Sequence, residues 1–371
     1  MRRALLLVFL AQGCCFATLI ASIPALQDRF ALDEMRLGIV LAVVPLIAGA
    51  GSLLADRIAR RAGVTTVLRL AAPAACAALP GIAAAHRLWA LILALTVFAL
   101  ALGSVDAMMN AYGVTLQQRA GRALMSGFHA AYSLGGILGS LAAAAAAGRL
   151  PFLLGSVGVV GGLVCLGSGL FLERSTDTRE AALRVPGIWR RLAAVGAIMT
   201  ALFIVDSAVA NWGTVFLGAA LAAPDRLAAL TYGCYAAATL LGRTVADRMV
   251  DRFGLVRVVG AGGLLGAAGL LLVVTTRVPA AGLIGFVLTG LGLSLIAPQA
   301  FAAAGRAVPE RPAAGVARVN VCVYAGFVLG APLIGTIAAL SSLRLAFVIA
   351  LLLVLALTAV ASRSWGNPRS A

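Results

Sequence analysis

Three ionisable side chains lie well inside apolar stretches of this sequence: Asp106, His129 and Asp206. Ionisable groups in such surroundings are rare and costly, and by default they mark proton or substrate paths. Asp106 falls in Leu102-Gly-Ser-Val-Asp106-Ala-Met-Met-Asn110, where the i,i+4 spacing puts Asp106 and Asn110 on one helix face. His129, Tyr132 and Ser133 share a face in the same way. Asp106 sits about seven residues from the end of its apolar segment and His129 about five from the start of the next, so the two reach a similar depth. The short loop 115–121 makes their helices neighbours, so both face one cavity or pair directly. A carboxyl held between apolar walls and an imidazole can exchange a proton near working pH, as coupling to a proton gradient requires. A structural hydrogen bond between helices is the plainer role for Asp106 and His129. Asp206 is followed by Asn211 and Trp212 and would line the cavity from the other half of the chain. Amide and aromatic residues at mid-segment could hold a substrate: Gln12, Asn110, Tyr132, Asn211, Trp212, Tyr232, Tyr235, Gln299, Asn320 and Tyr324. Amides and ring faces suit a neutral polyhydroxylated ligand, although each residue singly is as readily packing. Only Arg243 among the arginines approaches mid-segment, which disfavours a dedicated polyanion site.

The elements that must carry these groups follow from composition. The chain has 371 residues, 62% of them hydrophobic, with 11% charged and a mean hydropathy of +1.04. A soluble globular domain is about half apolar and a quarter charged, and disorder needs low hydrophobicity, so both are excluded. Apolar segments run over 4–26, 37–55, 66–85, 88–113, 124–147, 152–172, 192–220, 227–246, 256–275, 279–301, 315–340 and 343–362. Each suits a membrane-spanning helix of about 20 residues. The expected fold is an all-α membrane protein of twelve transmembrane helices. The first segment follows Arg2 and Arg3 and looks loosely like a signal peptide, but its apolar stretch is too long for one. The 42 glycines suit close helix packing in lipid. Cys14, Cys15, Cys76, Cys165, Cys234 and Cys322 all lie in apolar runs without metal-ligand spacing, and read as small core or lipid-facing residues. We expect no metal and no cofactor.

Charge placement sets the topology. The net charge is +16 and every cation is an arginine. The arginines stand singly or in short clusters between apolar runs, so no basic domain offers itself to nucleic acid. With an even number of spans, only Arg29, Arg36, Arg87, Arg149, Arg226, Arg277 and Arg344 fall opposite the termini. The positive-inside rule then puts both termini in the cytoplasm. The one long polar stretch, 173–191, divides the chain into an amino-terminal bundle (1–172) and a carboxy-terminal bundle (192–371), with a cytoplasmic linker between them in sequence.

The two halves repeat at a shift of 191 residues. Gly51-Ser-Leu-Leu-Ala-Asp56-Arg57-Ile-Ala-Arg60-Arg61-Ala-Gly63 recurs as Gly242-Arg-Thr-Val-Ala-Asp247-Arg248-Met-Val-Asp251-Arg252-Phe-Gly254. Gly135 maps to Gly326, Leu138-Gly139 to Leu329-Gly330, and His129 to Asn320. The fold expectation is therefore two pseudo-symmetric six-helix bundles. Asp56 and Asp247 end their helices at the cytoplasmic interface, where a carboxylate can accept from arginine or from a helix N-terminus. Asp56, Arg57, Arg61, Asp247, Arg248 and Arg252 thus read as a cytoplasmic gate, or more plainly as topology determinants.

On these residues the chain resembles the major facilitator superfamily over essentially its whole length: six spans, a linker, six spans, and an Asp-Arg-x-x-[Arg/Asp]-Arg loop in each half. The resemblance implies alternating access by two repeat halves about a midplane site, the behaviour that general accounts of secondary transporters cite for this superfamily. The Asp106–Asn110 stretch, Phe128-His129-Ala-Ala-Tyr-Ser-Leu-Gly-Gly and the Asp206…Asn211-Trp212 region look most like the fucose-permease-like branch of sugar–proton symporters. In that branch a fourth-span carboxylate handles proton and sugar, and Asp106 falls at that place. The branch's first-span acid has no counterpart, since an apolar residue near Ile20 takes its position. The Gly-Pro signature of drug–proton antiporters is absent from the fifth span.

The functional expectation is a secondary transporter, not an enzyme. It moves a small polar solute, a sugar or similar, together with protons across a bacterial inner membrane, as a monomer touching lipid. No nucleotide-binding loop is present to power a pump. A drug exporter working by proton antiport and a non-transporting membrane sensor are the alternatives.

Overall fold

Long apolar runs become long helices. The computed structural model describes residues 1–31, 34–146, 149–173 and 185–365, and no strand occurs among them. In the first half the helices are α1 (Arg2–Ala21), α2 (Ile23–Phe30), α3 (Glu34–Ala62), α4 (Val64–Ala84), α5 (Leu88–Ala120), α6 (Met125–Ala145) and α7 (Leu150–Leu170). In the second they are α8 (Ile188–Val215), a π-helical turn (Phe216–Ala220), α9 (Asp225–Phe253), α10 (Leu255–Thr275), α11 (Pro279–Leu293), α12 (Ala297–Ala307), α13 (Pro312–Leu340) and α14 (Leu343–Trp365). Nine helices among the described residues are long and apolar enough to cross a membrane, with α8 and its π turn counted together, and α11 with α12. With α3, α6 and α9, of 29, 21 and 29 residues, the long helical segments among the described residues are consistent with the expected twelve. Most of the linker, 174–184, lies outside the described residues.

The chain forms two compact units. The first holds residues 1–120, 127–186 and 309–321; the second holds 121–126, 187–308 and 322–371. The first unit thus includes the opening turns of α13, and the second the first two residues of α6.

The repeat motif is explained position by position. Gly63 and Gly254 form one-residue turns between helices, with φ of 84° and 85° and ψ of 151° and 152°. This region of backbone space is essentially reserved for glycine. A Cβ on Gly51 would strike the backbone carbonyl of Leu100; one on Gly242 would strike Ser294 Oγ and come within 2.9 Å of the Leu291 carbonyl, which is the repeat-equivalent place. Ala55 and Ala246 are fully buried. The same close approach recurs elsewhere in each unit. Cβ atoms on Gly135 and Gly139 would run into the α1 carbonyls of Leu10 and Cys14, while in the second unit Gly326 and Gly330 face α8 at Thr200 and Ser207. Small residues of this kind let backbones approach where lipid supplies no hydrophobic drive.

Arginines close helix ends from outside. Arg29 donates to the Ala83 carbonyl (2.8 Å) and lies 3.2 Å from His86 Nδ1. Arg344 donates to the carbonyls of Val274 and Thr276 and stacks over Phe216. Such carbonyls have no partner inside their own helix. In the first unit's core, Cys76 Sγ stands 3.5 Å from Cys15 Sγ and 4.0 Å from Cys165 Sγ. The start of the linker is tied down at Glu173, whose carbonyl accepts from Thr65 (2.9 Å) and whose N–H donates to Tyr112 Oη (3.2 Å).

Replacing Gly254 by alanine forces a side chain into the glycine-only region and is expected to cost about 1–3 kcal/mol. Thermal unfolding of the purified protein reads this, and Gly63→Ala should behave alike. Gly136→Ala, which meets open space, serves as the unaffected control.

Candidate functional site

Two polar clusters form inside the helix packing, one in each unit. In the first, Gln12 on α1 donates Nε2–H to Asp106 Oδ1 at 3.3 Å. Gln12 is 3% exposed, so its amide is committed to the protein interior. Asn110, one turn along from Asp106, donates Nδ2–H to the Asp106 carbonyl (2.8 Å). That bond leaves Asn110 Oδ1 to face His129 Nε2 at 3.0 Å, so Nε2 carries the hydrogen and donates. Ser133 Oγ donates to the His129 carbonyl, and Phe9 lies edge-on to the imidazole. The α1–α6 approach that fixes this register needs glycine, because a Cβ on Gly13 would meet the Tyr132 carbonyl.

The depth expectation is corrected here. The α5 helix does not stop near residue 113 but continues to Ala120. Asp106 is therefore about 21 Å from the end of its helix, and the connection is the short turn 121–124. His129 consequently meets Asn110, one turn nearer that end, while Asp106 meets Gln12.

In the second unit, Tyr235 Oη donates to Asp206 Oδ1 at 2.6 Å. Both line a narrow cavity of about 20 Å³, room for one water. Thr239, Arg243, Ser294 and Ala297 line it too. Tyr232 stacks on Tyr235 with ring centroids 6.4 Å apart. Arg243 is the cavity residue that sequence reasoning set aside. Its signal was its place in the repeat, where the first half has Ser52.

Other candidates are occupied by helix contacts. Trp212 donates Nε1–H to the Ala331 carbonyl (3.0 Å), with Gly335 beneath its ring. Asn211 donates to the Ser207 carbonyl on its own helix. In the second unit Gln299 donates to Ser126 Oγ (3.2 Å), and in the first Asn320 donates to Ser52 Oγ (3.0 Å). Tyr324 is buried.

Asp56 and Asp247 do not end their helices, since α3 runs on to Ala62 and α9 to Phe253, and they hold other helix starts by two different chemistries. Asp56, 2% exposed, accepts from Arg311 Nη2 at 2.6 Å and from Arg318 and Arg60 at 3.3 Å each. Arg311 precedes α13 and Arg318 lies in its second turn, within the part of α13 that belongs to the first unit. Burial pulls the Arg311 guanidinium below its usual value, and the Asp56 charge acts against that. In the second unit Asp247 instead accepts the backbone N–H of Ser126 at the start of α6 (3.0 Å), and Asp251 accepts that of Ala123 (3.0 Å). There the carboxylates face the positive end of the α6 dipole. Arg57, Arg61, Arg248 and Arg252 are exposed, and Arg252 lies over Phe253. Arg311 and Arg318 were not singled out in the sequence because the repeat-equivalent residues are Ala120 and Gly127.

Helices of this length and apolarity, with a duplicated architecture, define an integral membrane protein. Residues 195–370 match the family model of the Major Facilitator Superfamily. An uncharacterised MFS-type transporter of Yersinia pestis is 31% identical over 364 residues, covering 96% of this chain and 93% of the relative. The chain belongs to the major facilitator superfamily of transporters. Among solved structures, FucP, the E. coli fucose:proton symporter, matches in its outward conformation with a TM-score of 0.80 at 16% identity, covering 97% of both chains. The human organic anion transporter MFSD10 (TETRAN) matches with a TM-score of 0.80 at 13% identity, covering 97% of this chain and 98% of the other. Equal likeness to a sugar and an anion transporter leaves substrate choice to the side chains.

The two loop aspartates should respond differently to amidation. Asp56→Asn leaves the buried Arg311 guanidinium without its counter-charge and should destabilise by about 3–5 kcal/mol. Asp247→Asn keeps an oxygen for the Ser126 N–H and should cost about 1 kcal/mol. Thermal unfolding of the two variants side by side checks the asymmetry.

Proposed function

We propose that the protein carries a small polar solute across a bacterial cytoplasmic membrane by alternating access, coupled to protons. The observation that carries this reading is the hydrogen-bonding of each intramembrane carboxyl by a neutral donor, Gln12 for Asp106 and Tyr235 for Asp206. Neutral donors stabilise an ionised carboxyl without fixing its charge, so each group can gain and lose a proton as its surroundings change. A proton on Asp106 turns an acceptor into a donor and releases the Gln12 amide. His129, held by Asn110, supplies a second group able to bind a proton. In this reading Asp106, His129 and Asp206 carry protons. Gln12, Asn110, Tyr132 and Tyr235 stand beside them as solute contacts.

The loop clusters around Asp56 and Asp247 act in the same reading as a cytoplasmic gate. Asp56 binds α13 through Arg311 and Arg318, and Asp247 binds the start of α6. The exposed Arg57, Arg61, Arg248 and Arg252 are suited to lipid phosphate and to fixing orientation. Both termini then lie in the cytoplasm. A fluorescent protein fused to the carboxyl end should therefore light up in intact cells, and a periplasm-dependent phosphatase at the same place should stay inactive.

Coupling is tested in proteoliposomes under an imposed pH gradient, with a solute found by thermal-stabilisation screening. Asp106→Asn should fold normally and exchange solute across the membrane at equilibrium, yet lose gradient-driven accumulation. Undiminished accumulation by that variant would refute the assignment.

A further inference from the structure

The repeat keeps its backbone and the charges of its Asp-Arg motif, but not the charges deeper in its helices. Position 15 is Cys and position 52 is Ser in the first half, while their equivalents are Asp206 and Arg243. The second unit therefore carries a carboxylate and a guanidinium at two places where the first manages with neutral groups. The scaffold does not require them, and in a membrane each is expensive. They lie on the same cavity, and the Arg243 charge acts on Asp206. Tyr235, Thr239 and Arg243 stand at i, i+4 and i+8 along α9, on one face. A helical side chain leans toward the N-terminus, which carries the Arg243 head toward the level of Tyr235 and Asp206.

A second feature converges there. The helical run α11–α12 is broken: α11 ends at Leu293 and α12 restarts at Ala297, with Pro298 in its first turn. The proline ring would clash with the carbonyl four residues back, at Ser294. The equivalent stretch of α5 runs unbroken. Ser294 and Ala297 both line the cavity, so the positive end of the α12 dipole opens onto it beside Arg243. Non-helical backbone at membrane depth is tolerated where it is buried in protein or lines a cavity.

We propose that this cavity seats the carboxylate of the transported solute: Arg243 binds a small organic acid, and Asp206, beside it on the same cavity, takes a proton as the acid enters. This rests on the transporter reading above and narrows its substrate to carboxylate-bearing solutes. The charges balance. The empty site holds Asp206 as the anion and Arg243 as the cation. The loaded site holds neutral Asp206, cationic Arg243 and the solute carboxylate. The proton comes from the aqueous side and forms one O–H bond on Asp206. Net charge in the site is zero in both states, so no uncompensated charge is ever buried. Guanidinium and carboxylate pair through two parallel hydrogen bonds, the geometry for which arginine is preferred over lysine. The ionisable groups around Asp206 are Tyr232, Tyr235 and Arg243, all on α9, while α11 and α12 present Leu293, Ser294 and Ala297 to the cavity. The cavity volume admits one carboxylate oxygen in place of a water, so the second oxygen of the pair and the body of the solute lie at its mouth and outside it.

The test uses thermal unfolding of the full-length protein with small monocarboxylates, sugar acids included, each matched to its amide or its neutral sugar. The expected result is protection by at least one acid, stronger as pH falls, and little by its neutral partner. Arg243→Lys should weaken that apparent affinity about ten- to a hundredfold. The double variant Asp206→Asn/Arg243→Gln removes both charges together, so it folds without a stranded ion, and it should lose the protection. Three results overturn the proposal: no acid protects, neutral partners protect as well as acids, or the double variant is protected like the wild type. Vesicles loaded with a pH dye separate this from the transporter reading. Proton entry drawn by neutral sugars alone sinks the carboxylate seat and leaves proton coupling standing. Acids that protect the protein but draw no proton sink the coupling and leave the seat.

Discussion

In a lipid environment a polar group must find its partner within the protein, because no water is there to supply one. Four polar pairs described above obey that constraint. Asp106 is met by Gln12, Asp206 by Tyr235, His129 by Asn110, and Asn320 by Ser52. Helix ends obey it as well, with Arg29 and Arg344 closing carbonyls that helix geometry leaves open. Each such bond also fixes a helix register, so the groups that enable chemistry position the elements that carry them.

Duplication separates what the backbone needs from what the chemistry needs. Gly63 and Gly254 adopt the same dihedral angles, and Gly51 and Gly242 press on equivalent stretches of α5 and α11. These are steric demands, and they are met identically in both halves. The charges of the Asp-Arg motif are duplicated, but even there the two aspartates take different partners. Asp56 holds α13 through arginines, whereas Asp247 holds α6 through a backbone N–H. Asp106 faces Ala297 across the repeat, and Asp206 faces Cys15. A charge in a membrane helix is costly wherever it stands, so one present in a single half is best explained by function.

The fold was legible because its signals are additive. Twelve apolar runs, one-sided arginines and a repeat in constant register each point to the same architecture, and each sums over many residues. The site was legible only as a set of candidates. Trp212, Gln299 and Asn320 looked like solute contacts, yet they form bonds between helices. Nothing local distinguishes the two uses, since an amide or an indole meets either partner with the same chemistry. Arg311 and Arg318 were invisible for a related reason: their partner, Asp56, lies about 260 residues away in sequence.

By itself, then, the chain determined membrane residence, helix count, repeat and the identity of its rare buried charges, because hydropathy and periodicity are properties of contiguous residues. Tertiary structure decided which charge meets which. It carried α5 on to Ala120 and set Asn110 against His129. It also placed the break at 294–296, which Pro298 causes locally, beside Asp206 and Arg243. A hydrogen bond of 3 Å depends on the packing distance and rotation of two helices, and those are set by contacts from many distant residues at once.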